Sequence, residues 1–277
     1  MTVNELKKFA TEVRIETVKC LEARTFGHIG GCLSIADVLT VLYNGELKNI
    51  DPEDPKKSDR DMLVVSKGHA GPAVFATLAL KGYFPLDWLS TLCEGGTRLP
   101  SHCDRIRTPG IDASTGSLGQ GLSLANGFAH AAKIKNMKNR IYCLMGDGEI
   151  QEGQIWEAAM YAHQYKLNNL VGIVDWNKKQ IDGTIDECIS LLDIAEKFRA
   201  FGWYAVTVKG DDIEAIQDAF RQIRENQSDK PGVLVLDGVK GSGVKCIEKM
   251  KFNHMIPVDK ELADQCLAEL ETVKNSL

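Results

Sequence analysis

Two residue patterns in this chain could do chemistry. The first is Gly146-Asp147-Gly148, followed about thirty positions later by Asn177. A carboxylate and a side-chain amide, with room for a backbone carbonyl, suit a hard divalent ion; Mg2+ prefers such oxygen ligands and shares them with phosphorylated molecules. The two glycines let the backbone turn sharply and let a bulky diphosphate approach. Gly-Asp-Gly alone also fits a strand-ending turn with a solvated aspartate, and it is the later asparagine that sharpens the reading. The second pattern is four of the six histidines. His28, His69, His102 and His254 lie in glycine-rich or irregular segments (Gly27-His28-Ile29-Gly30-Gly31, Gly68-His69-Ala70-Gly71, Ser101-His102-Cys103 and Asn253-His254). Singly, each fits a structural or solvated loop histidine. Together they imply a polar pocket, where neutral imidazoles donate to phosphate or hydroxyl oxygens and exchange protons near neutral pH. His130 and His163 fall inside helical stretches and read as structural or surface residues. Lys67 reads equally as charge for a phosphate and as a surface lysine.

The elements that must position these groups follow from hydrophobic periodicity. Residues 141–145 are a short apolar run of buried-strand type, 154–165 repeat apolar residues at helical spacing, and 170–174 are a second buried strand. A strand–helix–strand unit of this length makes its strands parallel with a right-handed crossover. If they are neighbours, Asp147 and Asn177 both leave carboxyl ends, at the crevice where open α/β sheets bind ligands. Elsewhere the pattern predicts helices over 4–25 (with Asn4 as a cap), 35–43 (capped by Ser34), 73–81, about 121–135, 191–201, 213–223 and 259–274. It predicts strands over 62–65, 204–208 and 232–237. This alternation predicts one α/β domain over 1–277: a doubly wound, mostly parallel sheet with helices on both faces. The stretch Ser114-Thr115-Gly116-Ser117-Leu118-Gly119-Gln120-Gly121 opens a helix with exposed backbone N–H groups, an anion or ring-edge site. Its spacing is GxxGxG, so it is not the dinucleotide fingerprint, and no GxxxxGK[ST] loop occurs.

Composition narrows the classes. A chain of 277 residues with 44% hydrophobic and 26% charged residues is ordinary for a globular protein. A net charge of -5 argues against a general nucleic-acid surface, though not against a local basic pocket. No run approaches a membrane span, and the first residues lack the apolar core of a signal peptide, so cytoplasm is the expectation. The eight cysteines include no CxxC pair, and reduced thiols are the simplest reading.

With the two patterns set in order, the chain resembles transketolase over nearly its whole length. The segments are GHIGG around His28, SKGHAGP around His69, His102 in its loop, STGSLGQG at 114–121, Gly146-Asp147-Gly148, Glu152-Gly153, Glu157-Ala158-Ala159, the run 177–183, and 240–254. The resemblance implies thiamin diphosphate as cofactor and Mg2+, replaceable by Ca2+ or Mn2+, held by Asp147, Asn177 and the Lys179 carbonyl. It implies diphosphate contacts from His69 and His254, cofactor contacts from Gly146 and Gly148, and Gly116 and Leu118 against the pyrimidine. It places His28 and His102 on the sugar, His28 and His254 in proton transfer, and Glu152 between two cofactor sites across a dimer interface. The activity implied is transfer of a two-carbon ketol unit from a ketose to an aldose. Other thiamin-diphosphate enzymes share the Gly-Asp-Gly and Asn pattern: the alpha chains of 2-oxoacid dehydrogenases and deoxyxylulose-phosphate synthase. A non-catalytic cofactor-binding subunit is a further alternative. The family's pyrimidine-binding and C-terminal domains have no counterpart here, so a separate C-terminal partner chain is expected, as two copies of each. Ile29 and Cys103 stand where the family leads one to expect prolines, directly after His28 and His102. That departure reads as drift, or as a pocket reshaped for an unusual anionic sugar such as a sulfosugar.

Overall fold

The computed structural model describes residues 1–225 and 229–277. The chain runs through α1 (Val3–Arg24), β1 (Phe26–Gly27), α2 (Ile29–Leu33), α3 (Ala36–Val41), β2 (Met62–Val65), α4 (Gly71–Leu80), α5 (Gln120–Ile134), β3 (Ile141–Gly146) and α6 (Gly153–Gln164). It continues through β4 (Leu170–Trp176), α7 (Ile185–Cys188), α8 (Ile194–Ala200), β5 (Tyr204–Lys209), α9 (Ile213–Glu225), β6 (Gly232–Asp237), α10 (Lys245–Glu248), β7 (Ile256–Pro257) and α11 (Lys260–Ser276).

Five strands form one parallel sheet in the order β2-β3-β4-β6-β5. Strand alternation divides its side chains between two cores. Tyr142, Leu144, Val171, Ile173, Leu234 and Leu236 face one; Ile141, Cys143, Met145, Leu170, Val174, Val233 and Val235 face the other. Crossover handedness then assigns the helices. The β3–α6–β4 and β4–α8–β5 connections step across the sheet in one direction, whereas β5–α9–β6 steps back. Right-handed crossovers therefore put α6 and α8 on one face and α9 on the other. The cores agree: Ile155, Ala159, Ile194 and Phe198 pack together, while Ile216 and Phe220 join the opposite cluster with α1, α3, α4 and α11. The expected doubly wound α/β sheet with both faces covered is what the chain forms.

A second, antiparallel ribbon leaves no trace in the periodicity. β1 pairs with β7, setting Gly27 opposite Ile256. Two residues are too short to show an alternation, yet this ribbon carries His28 and His254 to the same place.

Three local expectations need correction. Thr2, not Asn4, caps α1: its hydroxyl accepts from Glu5 N–H, and the Glu5 carboxylate accepts from Thr2 N–H at 2.7 Å, completing a capping box. Ser34 caps nothing. Helical backbone already begins at Ile29, so the Ser34 hydroxyl donates back to the Gly30 carbonyl at 2.7 Å. Finally, α8 starts at Ile194 rather than 191, because Asp193 accepts from Glu196 N–H at 2.8 Å.

Candidate active site

The carboxyl ends of β2, β3 and β4 meet in a knot of buried charge. Asp147 follows β3 and is 3% exposed. One of its carboxylate oxygens accepts from Gly148 N–H at 2.8 Å and the other from Lys178 N–H at 2.6 Å. Lys178 takes a left-handed φ of 70° in presenting that N–H, a conformation that L-residues adopt at some cost. Asn177 follows β4. Its amide nitrogen donates to Asp175 at 2.7 Å, and its Oδ1 accepts from Lys179 N–H at 3.2 Å, which fixes the orientation of the amide. The Lys179 carbonyl accepts from the Lys240 ammonium at 2.8 Å. Behind these, Lys67 at the end of β2 is 1% exposed and donates to Asp175 at 2.6 Å and to the Gly31 carbonyl at 2.9 Å.

Burial, then the neighbouring Asp175 charge, raises the Asp147 carboxyl to about 7. Burial and then Lys67 lower the Lys240 ammonium to about 8. A carboxylate so placed is stabilised by a cation. Among the described residues no three His, Cys, Asp or Glu side chains cluster as a metal site. The oxygen set available is instead mixed: the Asp147 carboxylate, the Asn177 amide and the Lys179 carbonyl. These hard donors suit Mg2+. The side-chain oxygen of Gln180, buried beside Gly148, has no partner of its own. The residues fit the ion.

The four loop histidines form one cluster. His28 lies 5.2 Å from His69, 5.9 Å from His102 and 5.3 Å from His254, and His69 lies 5.1 Å from His254, ring centre to ring centre. Four separate segments converge for identifiable reasons. The β1–β7 ribbon brings His28 to His254. Gly30 N–H donates to the Asn253 carbonyl at 3.1 Å, an approach that a Cβ on Gly30, 2.3 Å from that oxygen, would block. A Cβ on Gly31 would meet the His69 ring at 3.4 Å, and one on Gly116, whose φ is 147°, would meet the His102 ring at 3.2 Å. His254 Nδ1 is 2.8 Å from the Lys240 ammonium and His102 Nδ1 is 2.8 Å from the Ser101 hydroxyl. Burial first, and then Lys240, takes His254 down to about 3; burial and then His102 take His28 to about 4. His69 is held well below the ordinary imidazole range by burial and Lys67, and burial lowers His102. All four are neutral near pH 7, so each ring offers one donor and one acceptor.

A cavity of about 230 Å3 joins the two halves, lined by His69, Leu118, Gly146, Asp147, Glu152 and Asn177 with Lys179, Lys240 and His254. His28, His102 and Gly116 adjoin it through the ring contacts. Glu152 is exposed at its rim and, among the described residues, takes no hydrogen bond through its side chain. A larger hollow of about 560 Å3, between Arg60, Arg98 and Phe128, holds none of these groups, and size alone gives it no chemistry. His130 and His163 stay apart, His130 against the Tyr161 hydroxyl at 2.6 Å and His163 beneath Gly202. Sequence reasoning missed Asp175 and Glu149 and left Lys67 undecided. The signal for all three is a charged residue within or just after a run of buried-strand type.

A parallel α/β sheet with a buried oxygen-donor set and a cationic, histidine-lined cavity at its carboxyl edge defines a diphosphate-binding domain. The chain belongs to the transketolase family: residues 6–269 match its thiamine diphosphate binding domain. It is 45% identical over 267 residues to the 6-deoxy-6-sulfo-D-fructose transketolase subunit of Clostridium sp. (strain MSTE9), covering 96% of each chain. It is 41% identical to an apulose-4-phosphate transketolase subunit of Phocaeicola vulgatus, covering 94% of this chain and 92% of that one. Transketolase from Campylobacter jejuni superposes with a TM-score of 0.90 at 31% identity, over 98% of this chain and 43% of the other. The chain thus spans less than half of that single-chain transketolase.

Proposed function

We propose that this chain is the diphosphate-binding subunit of a two-chain transketolase, moving a two-carbon ketol unit from an anionic ketose to an aldose. The observation that carries this is the placement of Asp147 and Asn177 at the ends of the adjacent strands β3 and β4, beside four neutral histidines. Asp147, Asn177 and the Lys179 carbonyl would hold Mg2+, and with it the diphosphate of thiamin diphosphate. The cofactor, when bound, supplies the electron sink for the carbanion that ketol transfer requires.

The protein's own groups bind and orient. The Lys240 ammonium, beside His254 and the Lys179 carbonyl, would with His69 and His254 supply charge and hydrogen-bond donors to the diphosphate. Gly116, which carries no side chain, and Leu118 give the ring a surface. His28 and His102 face the sugar hydroxyls and carbonyl oxygen. His28 and His254 are the rings the family resemblance puts in proton transfer; a neutral ring can relay a proton, accepting at one nitrogen as it donates from the other. Glu152, exposed at the rim of the cavity, would link this cofactor site to a second one across the dimer interface.

The relatives' names support both finer points. Two are subunits of transketolases, and their substrates are a sulfonated fructose and a sugar phosphate. The names support a partner subunit; that it supplies the pyrimidine-binding and C-terminal domains, that two copies of each chain assemble, and that the ketose is sulfonated or phosphorylated are parts of this proposal. Eight free thiols favour a reducing compartment, the cytoplasm. The test is ketol transfer from 6-deoxy-6-sulfofructose by the chain alone and with its partner, together with cofactor titration of an Asp147→Ala complex. Turnover should need both chains, and Asp147→Ala should abolish Mg2+-dependent cofactor binding. Full turnover by this chain alone, or unchanged affinity in the variant, refutes the assignment.

A further inference from the structure

Glu149 lies one residue beyond the Gly-Asp-Gly turn, 2% exposed, and takes no part in the functions described above. Its two carboxylate oxygens are divided between the two ends of the site. Oε1 accepts from Gly119 N–H at 2.9 Å and from the Ser66 hydroxyl; Oε2 accepts from Gly146 N–H at 3.0 Å. Gly146 opens the metal-side turn. Gly119 closes the segment whose Gly116 and Leu118 line the ring side. Ser66 precedes Lys67, and its hydroxyl also accepts from Gly121 N–H at 3.1 Å at the start of α5.

The loops so joined have no slack between them. A Cβ on Gly121 would lie 2.2 Å from the Ser66 hydroxyl oxygen, and one on Gly68 would lie 2.9 Å from the backbone of Gly116. Gly119 holds a φ of 83°, and a Cβ there would meet the Glu152 side chain at 2.9 Å. A single buried carboxylate is therefore the only side chain, among the described residues, that hydrogen-bonds the backbone of both the ring-side segment and the metal-side turn. We propose that Glu149 is a positioning residue that sets the span between the ring-side segment 114–119 and the metal-side turn 146–148, so that one thiamin diphosphate engages both. This rests on the cofactor reading above. A ligand held at two ends gains affinity from the second contact only if the ends are correctly spaced. Glu149 is therefore worth more to the whole cofactor than to its diphosphate alone.

The test uses the complex of this chain with its C-terminal partner and two probes, thiamin diphosphate with Mg2+ and Mg2+-pyrophosphate, titrated by calorimetry. Glu149→Gln keeps the size but sets an amide N–H2 against backbone donors. It is expected to bind thiamin diphosphate at least about tenfold more weakly while Mg2+-pyrophosphate affinity stays within about twofold. A role confined to general stability would move both probes together or neither, and either result overturns the proposal. Should Glu149→Gln fail to assemble, Ser66→Ala removes the hydroxyl contact to Glu149, and the acceptor of Gly121 N–H with it, but leaves both backbone contacts of Glu149 in place. It is expected to shift the ratio of the two affinities the same way by a smaller factor, and an unchanged ratio is equally fatal. A wild-type complex that binds no thiamin diphosphate would instead sink the functional reading itself.

Discussion

Lys67→Met tests whether the site is built around a buried ion pair. The Lys67 ammonium is 1% exposed and meets a carboxylate, Asp175, that is 2% exposed, with the Gly31 carbonyl as its second acceptor. Methionine fills similar volume, so little of the loss comes from packing. It leaves Asp175 without its cation, which for buried pairs costs about 3–5 kcal/mol. At roughly 2–3 °C per kcal/mol for a chain of this size, the midpoint should fall by roughly 6–15 °C. Adding Asp175→Asn removes the unpaired charge. The double variant should recover most of the loss, leaving about 1–2 kcal/mol for the Gly31 carbonyl, which still lacks its donor. The assay is thermal and urea denaturation of wild type, both single variants and the double, the first giving the midpoint shift and the second the coupling energy. A cost below about 1 kcal/mol for Lys67→Met, or strictly additive single costs, would show that the pair does not organise the strand ends.

Two further outcomes follow from the same geometry. Because burial depresses the folded pKa of His28 and His254 to about 4 and about 3 and lowers that of His69, the unfolded chain binds their protons first. The stability they contribute is complete above the ordinary imidazole value of about 6.5 and is lost as pH falls toward those folded values. His69→Gln removes one such site, so its urea midpoint should fall less steeply than wild type between pH 6.5 and 4.5; equal slopes would acquit the cluster. Gly30→Ala places a Cβ 2.3 Å from the Asn253 carbonyl and 3.0 Å from Lys240. It should separate His28 from His254, cost about 1–3 kcal/mol and weaken cofactor binding by the complex, and unaltered cofactor titration would contradict the role given to that contact.

What can be read in the residues is what local pattern encodes. Asp147 and Asn177 are legible as strand-end residues because a buried parallel strand is an apolar run with a sharp end, and β3 and β4 both are. The histidine loops are legible only as a set: four histidines in glycine-rich or irregular segments of one α/β chain imply a shared polar pocket that none of them implies alone. The ion pairs are not. A lysine after a strand reads the same whether it faces water or meets an aspartate 108 positions on, as Lys67 meets Asp175. Glu149 is hidden for the same reason: its partners are mostly backbone N–H groups, which leave no mark in a sequence. The β1–β7 ribbon is too short for periodicity, yet it delivers His28 to His254.

The absence of proline after His28 and His102 acquires a meaning from where the substitutes point. Ile29 is fully buried and Cys103 is 2% exposed, and both side chains lie in the core shared with α1 and α4, not in the cavity. Neither can touch a sugar. Any influence on specificity must pass through backbone: Ile29 opens α2, whose Gly30 holds the Asn253 carbonyl, and the Cys103 carbonyl accepts from Thr115 N–H at 3.1 Å, next to Gly116. Both residues thus lie behind the segments that carry His28 and His102, the groups that the proposed function sets against the reacting end of the ketose. Under the proposed function, a distal sulfonate or phosphate would lie at the far end of the sugar from these histidines. On that proposal its recognition would fall to groups other than those behind which Ile29 and Cys103 pack.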